Sequence, residues 1–285
     1  MKGRNSGERF AAPQIPEEIQ RQIIASSVHQ QNQASYQTPT EVVELPSKGI
    51  FYPENHPLYN VDTIEIKMMT TKEEDILTSP SLIEKGVVFD KLLESIILDK
   101  RITPSSLLVG DRTAILAKAR VSAYGPEYSF LASCPECGTN QKVDHLFDDI
   151  KCAKLPLDEL QIEDGLIKVT LPKSGMVVHL KLLCGQDEKE IQDEQNRRRK
   201  SNLPEENLIL MYRKLIVRLN GDENIFNIAN FASSMSIMDS RFLRKFYSVI
   251  KPDIDMSYTF QCEKCGHIDN GGVVPITGDF FWPKL

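Results

Sequence analysis

Cys134-Pro135-Glu136-Cys137-Gly138 and Cys262-Glu263-Lys264-Cys265-Gly266 are the two stretches from which the rest of this chain is read. Each is a CxxCG knuckle. Each follows a short strand-like lead-in, Tyr128-Ser129-Phe130 in one case and Tyr258-Thr259-Phe260 in the other. A tight CxxC turn presents two thiolates from one loop, and the following glycine lets the backbone turn its amides toward sulfur. Two knuckles together supply the four ligands of a tetrahedral zinc ion, so Cys134, Cys137, Cys262 and Cys265 are the candidate metal ligands. Side chains alternate along a strand, and the even offsets from Tyr128 to Cys134 and from Tyr258 to Cys262 place each tyrosine on the face of the first ligand. Residues 138–261 are then an excursion that must return to where it left.

Rival readings of the cysteines differ in what they require. A redox CxxC normally stands alone at a helix N-terminus after a strand, whereas here a glycine follows each second thiol. Two unconnected surface turns would leave the matching lead-ins without a reason. Cys152 and Cys184 have no partner at ligand spacing and read as buried apolar thiols. His267, two residues after Cys265, is a substitute ligand in principle and a flanking residue by habit. A catalytic zinc would keep an open position beside a general base, and the chain contains no His-x-Glu partner for a PCxxC signature and no HExxH run. Four thiolates point to a structural ion.

Composition sets the outer bounds. The 285 residues are 41% apolar and 26% charged with a formal net charge of −6, the profile of a globular protein with ample core material. That charge speaks against nucleic acid as the main partner, because phosphate recognition needs clustered Lys and Arg. The one cluster, Arg197-Arg198-Arg199-Lys200, stands at the end of a helix that opens with Asp187 and Glu188, and so suits the helix dipole. No apolar run approaches the roughly 18 residues of a spanning helix, and the polar N-terminus carries no signal-peptide core. A reducing, intracellular setting is expected, where CxxC pairs bind metal before they form disulfides.

In chain order, residues 1–40 are rich in Gln, Ser and Asn, and read as a tail in which Ile15, Ile19, Ile23 and Ile24 mark a short candidate docking helix behind Pro16. Glu44 to Pro53, with two prolines and a glycine, reads as a fixed irregular segment whose Ile50-Phe51-Tyr52 needs a pocket. Thr63 to Met68 alternates as a half-buried strand, and Thr71 with Glu74 reads as a capping box opening a helix to Leu77. Ser79-Pro80 breaks it, Val87 to Leu98 forms a second helix, and Asp111 caps a third that ends at Gly125-Pro126. Leu166 to Leu171 and Met176 to Leu183 form a hairpin, followed by a helix from Gly185 to Lys200 and another from Glu205 to Leu219 with Leu208, Met211, Tyr212 and Leu215 as its stripe. A last long helix is capped by Asp239 and buries Phe242, Leu243, Phe246 and Ile250. The aromatic tail Phe280-Phe281-Trp282 plugs a core, its own or a neighbour's. There is no phosphate-binding glycine loop and no GxSxG elbow.

Several phrases together resemble one family. Leu45-Pro46-Ser47-Lys48-Gly49-Ile50-Phe51-Tyr52-Pro53, then Met68-Met69-Thr70-Thr71-Lys72-Glu73-Glu74, Leu108-Val109-Gly110-Asp111-Arg112, and Tyr124-Gly125-Pro126-Glu127-Tyr128 leading into the first knuckle are similar to the T4-type bacteriophage baseplate proteins. Leu171-Pro172-Lys173-Ser174-Gly175 and Leu182 to Glu188 continue the likeness, which spans roughly residues 42–285. The resemblance implies a viral tail component of the baseplate hub, or a factor in hub assembly, with no catalytic residues. Its implied partners are other baseplate and tail hub proteins, in the host cytoplasm during assembly and in the virion tail if it is retained. A small-molecule substrate is not expected. The other reading left open is a zinc-ribbon nucleic-acid-binding or transcription-linked factor; a zinc enzyme is weaker.

The expected fold is α+β: a helical N-terminal half and an inserted hairpin-plus-helices body, joined at a zinc-ribbon-like pair of hairpins carrying the four cysteines. Residues 1–41 form a flexible arm, 42–149 plus 251–285 a zinc-clamped domain, and 150–250 an inserted domain.

Overall fold

A computed structural model describes residues 38–147, 150–276 and 278–281. The isoleucine stripe at positions 15–24 and Trp282 lie outside the described residues. Strand β1 (Thr40–Glu44) pairs antiparallel with β2 (Thr63–Lys67), whose Ile64 and Ile66 face the core as their alternation predicts. Thr70, one residue earlier than expected, opens α1 (Thr71–Leu77), and the partner acid is Glu73 instead of Glu74. Glu73 wins the position because it is the buried one: its carboxylate accepts from the Thr70 backbone and hydroxyl and also reaches Lys67 and Ser95. Pro80 does more than break α1. It occupies the first turn of a further short helix, α2 (Pro80–Glu84), where a missing N–H costs nothing. Helix α3 (Val88–Ile96) buries Val88, Leu92, Leu93 and Ile96.

Helix α4 (Val109–Tyr124) begins two residues before Asp111, with Leu108 as its N-cap residue, and ends at Gly125, whose φ of +83° lies in the left-handed region. Asp111 is therefore not the cap. Its fully buried carboxylate points out of the first turn and accepts from the Ser47 N–H (3.0 Å), the Ser47 hydroxyl (2.6 Å) and the Tyr52 hydroxyl (2.7 Å). The Tyr52 hydroxyl in turn accepts from the Leu108 N–H. These bonds fix the irregular segment after β1 and seat Phe51 and Tyr52 in the core.

The first cysteine hairpin, β3 (Glu127–Ser133) and β4 (Asn140–Leu146), follows directly. Strands β6 (Leu166–Thr170) and β7 (Val177–Leu180) form the expected hairpin, but as the centre of a four-stranded antiparallel sheet completed by β5 (Gln161–Glu163) and β8 (Ile216–Leu219). Helix α5 (Gly185–Lys200) has the expected span. Helix α6 (Asn207–Leu215) stops four residues short of the expectation, because Ile216-Val217-Arg218-Leu219 pairs with β7 as β8. Its buried stripe is Leu210, Tyr212 and Leu215, while Leu208 is exposed. After α7 (Ile225–Ser234), helix α8 (Ile237–Ile250) is capped by Ser236, whose hydroxyl accepts from the Asp239 N–H. Asp239 instead accepts from the Lys173 and Ser174 amides (2.8 and 3.1 Å), tying the β6–β7 turn to α8.

The chain leaves and returns side by side. Ala153 donates to the Asp253 carbonyl and Asp255 to the Lys151 carbonyl, both at 2.8 Å. Gly110 in α4 meets the returning chain so closely that a Cβ there would stand 1.8 Å from the Pro252 oxygen. The second cysteine hairpin, β9 (Ser257–Gln261) and β10 (Ile268–Val273), comes next, and α9 (Gly278–Phe281) closes the described chain. One buried apolar cluster runs from Val43 to Phe281, and the described residues from Pro39 onward form a single compact unit. Among the described residues no helix is long and apolar enough to cross a membrane.

Candidate metal centre

The two knuckles repeat each other bond for bond. Cys134 donates its N–H to the Thr139 carbonyl and accepts from the Gly138 N–H; Cys262 does the same with His267 and Gly266, all four bonds at 2.9 Å. Gly138 and Gly266 have φ of +67° and +72°, so a side chain at either would strain the turn. The expected parity holds. Tyr128, Phe130 and Ala132 share the buried face of β3 with Cys134, and Tyr258 and Phe260 share the inner face of β9 with Cys262. Phe130 and Tyr258 meet edge to face with centroids 4.9 Å apart, an aromatic joint between the hairpins.

This arrangement brings all four predicted sulfurs within 4.8 Å of one another. Cys134 and Cys262 are buried; Cys137 and Cys265 are exposed. The closest contacts run between the knuckles: Cys134 to Cys265 and Cys137 to Cys262, each 3.6 Å. A disulfide needs about 2.05 Å, whereas the edge of a sulfur tetrahedron with bonds of about 2.3 Å to zinc is about 3.8 Å. The spacing is that of ligands around an ion, and the donor set can hold a metal.

Local charge differs between the two exposed thiols. Hydrogen bonds from the Thr139 hydroxyl and backbone, with smaller contributions from Cys262 and Cys265, draw Cys137 down to about 6. The His267 backbone N–H favours the Cys265 thiolate, but partial desolvation and the neighbouring sulfurs of Cys262, Cys137 and Cys134 together push Cys265 up to about 12. Four thiols this close cannot all ionise without a cation among them. Cys152 and Cys184 stand apart and are half-buried rather than fully buried; burial raises Cys152 to about 11 and also raises Cys184.

Two residues that the sequence reading passed over hold this region together. Arg120 is buried on α4 and donates to the Phe280 carbonyl at 3.2 Å, the Glu127 carbonyl at 2.5 Å and the Gly125 carbonyl, with its guanidinium 5.4 Å from the Tyr128 ring centre. It thereby links α4 to the start of β3 and to α9, whose Phe280 and Phe281 are fully buried against Tyr128, Phe147 and Phe89. Phe280 and Phe281 of the aromatic tail thus plug the chain's own core. A signal was present, since Arg120 falls one turn after Leu116 on the apolar face. Gln141 in β4 crosses to the other hairpin: its Nε2 donates to the Gln261 carbonyl at 2.8 Å and its Oε1 accepts from the Glu263 N–H at 3.0 Å. No sequence pattern marks that contact. The acids of α5 are surface or bonded groups, Asp187 holding Lys181 and the Cys184 N–H, and Arg197, Arg198 and Arg199 pair with Glu194, Glu206 and Glu205.

The fold and site thus define a non-repetitive α+β protein with a four-thiol cluster joining two distant hairpins. The family model described as T4 bacteriophage base plate protein matches residues 38–282, and the chain belongs to that family. No curated protein and no solved structure matches it.

Proposed function

We propose that this protein is a component or assembly factor of the contractile-tail baseplate hub, acting without catalysis by docking other tail proteins. The observation that carries this reading is the family match over residues 38–282. Cys134, Cys137, Cys262 and Cys265 are its metal ligands, and Zn2+ is the ion the four-sulfur donor set favours. Four protein ligands complete a tetrahedron, so the ion is structural: it would hold the two hairpins together and contribute to folding. Residues 42–149 with 251–285 then act as the clamped base, and 150–250 as an inserted body packed on it within the one compact unit. Ile225, Phe226, Ile237 and Met238 are exposed at the starts of α7 and α8, apolar side chains of the kind that protein contacts cover. Assembly takes place in the host cytoplasm, and the virion tail is the destination if the protein is retained.

The test is electron microscopy of particles made by a phage carrying an amber mutation in this gene, with co-purification from the wild type. Tails lacking normal baseplates, and recovery of the protein with hub components, are expected. Normal baseplates without the protein would overturn the proposal. The nucleic-acid reading gains nothing from the paired arginines of α5, and it requires salt-sensitive retention on heparin.

A further inference from the structure

The two knuckles match in backbone geometry but not in how each is held. Gln141 and Asp269 occupy equivalent places, each seven positions after its hairpin's first cysteine and each paired with the residue two before that cysteine, Ala132 and Phe260. Asp269 turns inward on its own strand and accepts from the Gly271 N–H at 2.8 Å. Gln141 leaves its hairpin. Its amide bonds the backbone on both sides of Cys262, the Gln261 carbonyl before it and the Glu263 N–H after it. An amide side chain has one donor end and one acceptor end, so this pair of bonds mimics a neighbouring strand and fixes the peptide that carries Cys262.

The fixed cysteine is one end of a 3.6 Å cross-hairpin contact with Cys137. Cys137 is exposed, so little packing holds its sulfur in place. We propose that Gln141 is a positioning residue of the metal centre, setting the approach of the second knuckle to the first so that four sulfurs stand at ligand distance before the ion binds. This rests on the metal reading of the four cysteines. Groups that orient ligands from outside the coordination shell typically change metal affinity 10- to 100-fold when removed, and the same range is expected here.

The experiment uses the full chain loaded with Zn2+ or Co2+, comparing wild type, Gln141→Ala, Gln141→Glu and Asp269→Ala. Metal transfer to a chromophoric chelator gives affinity and release rate, and the sulfur-to-Co2+ charge-transfer bands report the tetrahedron directly. Gln141→Ala should lose metal about 10- to 100-fold more readily and with altered Co2+ bands. Gln141→Glu should do no better, because it keeps the acceptor but sets a carboxylate oxygen against the Gln261 carbonyl. Asp269→Ala should match wild type. Wild-type behaviour in both Gln141 variants would overturn the role. So would equal losses in Gln141→Ala and Asp269→Ala, which would report general loosening of the hairpins. Failure of Gln141→Ala to fold while Gln141→Glu folds and holds metal normally would count against it too. A wild-type chain that takes up no ion would refute the metal reading itself, a different result from any of these.

Discussion

Glu73 is a carboxylate buried without a trace of exposure, and replacing it with glutamine tests how the N-terminal part of the unit is held. One oxygen accepts from Lys67 Nζ at 2.7 Å and Ser95 Oγ at 2.5 Å; the other accepts from the Thr70 hydroxyl at 2.6 Å and the Thr70 N–H at 2.9 Å. Burial alone would push this carboxyl up, but the hydrogen bonds, led by Lys67, outweigh it and hold it at about 2 against an ordinary 4.5. The folded value lies below the unfolded one, so the stabilisation is present above pH 4.5 and lost as pH falls through about 2. At about 1.4 kcal/mol per pH unit, that interval corresponds to about 3 kcal/mol at neutral pH. Glu73→Gln should therefore be less stable than wild type by about 3 kcal/mol at pH 7 and by only about 1 kcal/mol at pH 3. Urea unfolding of both proteins at pH 7, 4 and 3 measures the difference, and contributions from other carboxylates cancel in it. A difference that is flat with pH, or that grows on acidification, would refute the argument.

Three further substitutions probe the joints of the unit. Cys262→Ser removes one of four thiols and, under the proposed metal reading, an ion whose binding contributes on the order of 10 kcal/mol in small zinc domains; metal content, solubility and baseplate assembly should fall together, and a soluble, assembly-competent Cys137→Ser/Cys262→Ser protein would show that the clamp is dispensable. Gly110→Ala places a methyl group 1.8 Å from the Pro252 oxygen, and the backbone shift it forces should cost about 2–3 kcal/mol by denaturant midpoint; an unchanged midpoint would mean that α4 and the returning chain do not meet this tightly. Arg120→Met keeps most of the side-chain volume but leaves the carbonyls of Gly125, Glu127 and Phe280 without their donor. It should cost about 3 kcal/mol and make the segment after β10 the first site of limited proteolysis, while a cleavage pattern like wild type would remove Arg120 from that role.

What could be read from the sequence was whatever a local pattern specifies completely. A CxxCG knuckle carries its ligand spacing, its turn glycine and its strand parity within one short hairpin segment, Tyr128 to Gly138 or Tyr258 to Gly266, so both halves of the cluster were visible, and four thiols at ligand spacing argued that they meet. Helix α5 was equally plain, because its acidic start and basic end are written at its two termini. Where neighbouring signals conflicted, tertiary pairing decided. Ile216 to Leu219 continues an apolar stripe that suits a helix, yet β7 offers an open edge, and β-branched residues satisfy it as β8.

Asp111 and Asp239 show where local reading stops. Both stand in the first turn of a helix, where a carboxylate favours the dipole whether or not it caps, so both read as caps. The structure uses each as a side-chain anchor for a segment 59 to 66 residues away, Asp111 for Ser47 and Tyr52 and Asp239 for the Lys173–Ser174 turn. The composition of the first turn cannot distinguish these roles, because the distinguishing partner lies elsewhere in the chain. The same holds at the four-cysteine cluster: Gln141 carries no pattern of its own, and its place beside Cys262 exists only once both hairpins have formed. Residues that bind an ion announce themselves by type and spacing, whereas residues that hold those ligands in place are defined by contacts made only in the folded chain.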